Sequence, residues 1–226
     1  IEETENIDSN ELLVAFPDFS NIRPGMPCLT DTPTLEFNLP DREQYERSIN
    51  LVKRNQREGN SYLANLTCRV PIKTNLSMRD ICLRSQARYR CWLKDRFVCF
   101  SPETFIKINN GIISSFPMKG TLDATLPDAE HLLMNNKKEA AEHATIVDLI
   151  RNDLSQVAEQ VSVERYRYVE HLTTHKGEIL QTSSEITGRL TDYYRAHLGE
   201  MLLRLLPAGS ITAAPQTKTH DINVEE

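Results

Sequence analysis

The stretch KKEAAEHATIVDLIRNDLSQV, Lys137 to Val157, reads as one long amphipathic helix. At about 100° per residue, Ile146, Leu149, Ile150, Leu154 and Val157 gather on one face, the stripe that a helix turns toward a core. The same wheel places Glu139 and Glu142, at i and i+3, within that stripe, and Asp153 falls there too. An ionised carboxylate turned inward needs a cation, a hydrogen-bond network or a raised pKa, so two on one turn point to a shared partner such as a divalent metal. Their position at the helix start offers another reading, because acids there complement the helix dipole. Spacing alone favours the dipole.

The chain around this helix has 226 residues, 39% of them hydrophobic, enough for a substantial core in one domain or two. A net charge of -6 without a basic cluster argues against a nucleic-acid surface and leaves room for a local positive pocket. Apolar runs are broken by charge within a few residues and no basic-then-apolar leader opens the chain, so no membrane partner is expected and the cytoplasm is the expected setting. Cys28, Cys68, Cys82, Cys91 and Cys99 are odd in number and lack CxxC spacing. That pattern predicts buried free thiols rather than a disulfide framework or a zinc site.

Residues 1–34 are polar and rich in proline and read as a scaffold segment; residues 35–226 read as the main domain. LEFNLP from Leu35 alternates as a strand, and Asp41 caps a helix through Arg57 that Gly59 ends. Met78 to Arg90 reads as a helix started by Ser77, whose arginines Arg79, Arg84, Arg88 and Arg90 form a solvated face. FVCF and TFIKI read as strands, and Asn110-Gly111 is a strong hairpin turn into GIISSFPMK. VSVERYRY (Val161 to Tyr168) and ILQTSSEITGRL (Ile179 to Leu190) are a further strand pair, with Gln181, Ser183 and Glu185 on one face. Asp192 to Leu206 is a helix stopped by Pro207. Strands joined by hairpin signals and surrounded by helices predict an α+β fold.

Several of these segments carry motifs. KEAAEHATIVDLIRNDL resembles the KExxEHxxIVDLxRNDL signature of the chorismate-utilising enzymes, the family of anthranilate, aminodeoxychorismate, isochorismate and salicylate synthases. GNSYLANLT (Gly59 to Thr67) resembles the family's GDxYQxNLS strand, with Leu63 in place of Gln; SPETF resembles SPExF; PMKGT (Pro117 to Thr121) resembles PxxGT. The resemblance implies antiparallel sheets packed as a sandwich with helices outside, chorismate as substrate, Mg2+ held by Glu142 with Glu139 beside it, and ammonia from a glutamine amidotransferase subunit. It places Gly120 and Thr121 at the substrate.

Lys119 stands before the GT pair, where many aminodeoxychorismate synthases carry a lysine that acts as a covalent nucleophile and the anthranilate and isochorismate types usually carry Ala. A desolvated lysine, or one beside another cation, does lose its proton more readily. ILQTSSEITG aligns with the family's HLxSxVxG, so Gln181 replaces an active-site His and cannot titrate. PAGSITAAPQTK resembles PxGSxTGAPK, a loop in which Gly209, Ser210 and Thr212 bring backbone amides to substrate carboxylates, with Ala213 for Gly and Gln216 for Lys. Members of the family continue past the point matching Glu226 with a second magnesium-binding Glu, so the resemblance implies that residues 35–226 are a chorismate-binding domain incomplete at its C-terminus. The expected activity is that of an aminodeoxychorismate synthase component I; an anthranilate synthase component I-like enzyme is one alternative, and Gln181, Ala213 and Gln216 leave a non-catalytic fragment or binding module of the same family as another.

Overall fold

The computed structural model describes residues 7–28, 31–60, 64, 66–174 and 176–208. Its content is α+β, helices with antiparallel sheets, as the patterning predicts. Two compact units are present, one made of Ile1–Tyr45 and Cys68–Glu103 and the other of Glu46–Thr67 and Thr104–Glu226. This division runs elsewhere than the expected boundary after residue 34.

The first unit holds a four-stranded sheet of order β2-β1-β5-β6, formed by β1 (Leu12–Phe16), β2 (Phe19–Ser20), β5 (Tyr89–Leu93) and β6 (Phe97–Ser101). A separate ribbon pairs β3 (Leu35–Phe37) with β4 (Ile72–Thr74). Leu13, Cys82 and Trp92 form the small core under α2 (Met78–Arg84). Ser77 and Asp80 close a full capping box at the start of α2. The helix is shorter than expected, ending at Arg84, because Tyr89 and Arg90 are drawn into β5 opposite Ser101 and Phe100. Its arginines are not merely solvated: Arg79 donates to the Pro27 carbonyl at 2.7 Å and Arg84 to that of Asp31 at 2.7 Å. They tie the proline-rich start of the chain to α2, supplying donors that this irregular backbone lacks internally.

Between these segments runs α1 (Arg42–Arg57), where the Asp41 carboxylate accepts the Gln44 N–H at 3.0 Å and Gly59, at φ 77°, follows the end. Residues 61–63 and 65 of the expected strand after Gly59 lie outside the described residues.

The second unit is built around β11 (Gly177–Leu190). One edge of β11 pairs with β10 (Ala158–Thr174); the other pairs with β9 (Met118–Asp123) at Ile179 to Ser183 and with β8 (Ile112–Ser115) at Ile186 to Arg189. β7 (Lys107–Asn109) joins β8 through Asn110 and Gly111, both at positive φ, the geometry that an Asn-Gly hairpin supplies. Along β11, Leu180, Thr182, Ser184, Ile186, Gly188 and Leu190 are all buried, and this face meets α3 (Ala129–Asn135) and α4 (Lys137–Leu154). The buried stripe of α4 is His143, Ile146, Val147, Ile150 and Leu154. Leu149, Glu142 and Asp153 sit at its edges, half-buried, so the expected stripe is rotated slightly toward Val147. The expected helix from Asp192 to Leu206 is two helices, α5 (Asp192–Ala196) and α6 (Leu198–Leu205), interrupted at His197, whose φ of -125° and ψ of 60° are not helical. Among the described residues no helix is long and apolar enough to cross a membrane.

Candidate active site

Lys119 lies in β9 opposite Thr182 of β11, and the Thr182 hydroxyl donates to the Lys119 carbonyl. One residue on, the ladder is irregular: Thr121 pairs with Gln181, leaving Gly120 as an extra residue at φ 74°. This is a β-bulge in which glycine accepts the left-handed backbone that a side chain resists. The vacant side of Gly120 is filled from the helices. A Cβ placed there would lie 3.2 Å from Glu139 Oε2 and 3.2 Å from Leu133 Cδ1. The glycine of the PMKGT motif thus lets the first carboxylate of α4 come up against the strand that carries Lys119.

The bulge also decides which expected residues share a face. Directly opposed residues of an antiparallel pair project to the same side, so Lys119 goes with Thr182, toward α4, and Thr121 with Gln181, on the other side of the sheet. Lys119 and Gly120 are half-buried and Thr121 is exposed. The expected set is therefore divided: Lys119, Gly120 and Glu139 converge, while Thr121 and Gln181 stand side by side across the sheet. Gly209, Ser210 and Thr212 lie outside the described residues.

Glu139 and Glu142 occupy successive turns at the start of α4, where Asn136 caps the backbone N–H groups of Lys138 and Glu139 at 3.1 and 3.2 Å. Glu142 remains 39% exposed and pairs with Lys138 at 3.4 Å. Two half-buried carboxylates one turn apart, Glu139 against Gly120 and Glu142 beside Lys138, could hold magnesium, which commonly takes one or two protein carboxylates and completes its octahedron with water and substrate oxygens. Among the described residues, no group of three or more His, Cys, Asp or Glu converges as an all-protein metal site would require.

A residue that the pattern of apolar positions overlooks stands next to this pair. His143 is fully buried, its Nε2 2.6 Å from Ser184 Oγ and its ring edge-on to Tyr166 at 5.7 Å. Burial, reinforced by the positive charges of Arg167 and Lys119, pushes its pKa down to about 4, so it is neutral at pH 7. Its Nδ1 finds no hydrogen-bond partner among the described residues. The sequence signal is the His of the EH pair, which falls within the buried stripe once the helix is turned toward Val147.

The model of the chorismate binding enzyme family matches residues 9–223 of this chain. At 52% identity over 178 residues, 79% of this chain and 54% of the other, the chain is similar to a Haemophilus influenzae protein described as an uncharacterized PabA-like protein. It is 31% identical over 202 residues to aminodeoxychorismate synthase component 1 of Escherichia coli, covering 80% of this chain and 42% of that one. The chain spans about half the length of these curated relatives. Its fold is that of anthranilate synthase component I from Streptococcus pneumoniae, with a TM-score of 0.69 at 24% identity over 86% of this chain and 44% of that one. From Ser9 almost to its end, the chain belongs to the chorismate binding enzyme family.

Proposed function

We propose that this chain is the chorismate-aminating part of an aminodeoxychorismate synthase component I, making 4-amino-4-deoxychorismate on the route to 4-aminobenzoate and folate. The observation that carries the reading is Lys119, half-buried on β9 immediately before the bulge that admits Glu139. The similarity to aminodeoxychorismate synthase component 1 supports it.

In the proposed reaction the Lys119 amine nitrogen forms a bond to a ring carbon of chorismate, and one of its protons leaves with the ring hydroxyl as water. Ammonia then forms the new carbon–nitrogen bond and the lysine departs as a free amine, so that hydroxyl is exchanged for amino with no net oxidation. Glu139 and Glu142 would hold Mg2+, which supplies positive charge for the substrate's anionic groups when bound. The segment from Gly209 to Thr212 is proposed to receive a substrate carboxylate, and a glutamine amidotransferase subunit to deliver ammonia. Thr121 and Gln181, across the sheet from Lys119, are assigned no part in the lysine's chemistry.

The test is to incubate the protein with chorismate, magnesium and an ammonium salt and to identify the product by mass spectrometry. An aminated chorismate that retains its enolpyruvyl group is expected; anthranilate or isochorismate would place the chain in another branch of the family.

A further inference from the structure

The side chain that joins the strand of the buried histidine network to the helices of the acidic pair is Arg167. It sits in β10 at φ 50°, in an irregular stretch where Tyr166 and Arg167 together oppose Ser184 alone. A non-glycine residue in this conformation is uncommon and is held by its surroundings. Here two sets of contacts hold it. The Arg167 backbone N–H, turned out of the ladder, donates to Ser184 Oγ at 2.8 Å, and that same oxygen is the neighbour of His143 Nε2. The guanidinium reaches the other way and donates to the carbonyls of Met134 at 2.8 Å and Leu133 at 3.0 Å, with Asn136 at 3.5 Å.

Those carbonyls are the end of α3 and the cap of α4. A seven-residue helix leaves its last carbonyls without intrahelical partners, and a cation there also complements the helix dipole. The elbow between α3 and α4 is only Asn136 long, so whatever fixes that elbow fixes Glu139 three residues later. Leu133, whose carbonyl Arg167 holds, is also one of the two side chains set against Gly120.

We infer that Arg167 is a positioning residue for the lysine–carboxylate centre: it latches the α3–α4 elbow to β10 and so sets Glu139 against Gly120 beside Lys119. The inference rests on the proposed amination for its functional consequence, while its geometric content stands apart from that reaction. A lysine in its place would lack the planar fork that serves two carbonyls at once.

The experiment compares the wild-type chain with Arg167→Ala and Arg167→Lys. Hydrogen exchange is expected to quicken in residues 129–142 of both variants while the Ile146 to Leu154 part of α4 stays protected. In the amination assay kcat is expected to fall roughly 10- to 100-fold with little change in KM for chorismate, since displacement of a reactive centre by an ångström acts on turnover. Added guanidinium should restore turnover to Arg167→Ala, and methylammonium should not. Unchanged exchange across 129–142 would overturn the latch. A loss of kcat that guanidinium leaves untouched, or that matches only the unfolded fraction, would overturn the positioning role. A wild-type chain that aminates nothing refutes the proposed reaction instead, and the exchange comparison then decides the latch alone.

Discussion

Gly120 and Glu139 are fitted to each other: the glycine has φ 74°, and a single added carbon would stand 3.2 Å from the glutamate Oε2. Backbone conformation and side-chain space both demand glycine here. Gly120→Ala is therefore expected to destabilise the protein by about 1–3 kcal/mol, from the left-handed backbone and the crowding together. It should also push Glu139 from β9. Urea unfolding measures the first effect and the amination rate the second; an alanine variant with wild-type stability and rate would show that the bulge tolerates a side chain.

Gly188 makes a similar prediction without chemistry attached. It lies on β11 opposite Gln160 and Val161, where the β10 ladder is irregular, and a Cβ would come within 2.9 Å of Ala158 Cβ and 3.0 Å of Val161 Cγ2. Those neighbours belong to a packed core, so Gly188→Ala is expected to cost about 1–3 kcal/mol as overpacking. The Tm should fall while the activity per folded molecule is retained. A variant that melts with the wild type would mean that β10 yields at this point.

His143 gives the protein a dependence on acid. Its folded pKa of about 4 lies below the ordinary 6.5, so between these values the unfolded chain binds the proton and the folded one does not. The sign follows: stability is at its full value above about pH 6.5, declines as pH falls toward 4, and loses on the order of 3 kcal/mol across the window. Urea unfolding of the wild type and of His143→Gln between pH 7 and pH 4 isolates this contribution, because other titrating groups are shared. The wild type should lose more stability than the variant over that range; parallel slopes would mean that His143 accepts a proton in place.

Much of this is legible in the sequence because it is local. Asp41, Ser77 and Asn110-Gly111 are short-range devices whose geometry follows from the residues themselves, and each is found where the residues place it. The α4 stripe follows from its period. What the sequence hides is set by tertiary pairing. The helix expected through Arg90 stops at Arg84 because β1 and β6 recruit Tyr89 to Leu93 as a strand. The bulges at Gly120 and Arg167 escape a two-residue alternation, and with them goes the placement of Lys119 and Gln181 on opposite faces. His143 escapes notice because a polar residue does not register in an apolar count, although Ser184 satisfies it inside the core.

The most direct test of the central claim, that Lys119 is the nucleophile of a chorismate amination, is the rate at which Lys119→Ala forms aminated chorismate with magnesium and ammonium present. The substitution removes the Lys119 side chain beyond Cβ, its amine included, and leaves Gly120 and Glu139 themselves unchanged. The wild type should form the product and the alanine variant should lose at least roughly 100-fold of that rate, the scale expected when a covalent route is closed. Product formed by Lys119→Ala at the wild-type rate would contradict the claim.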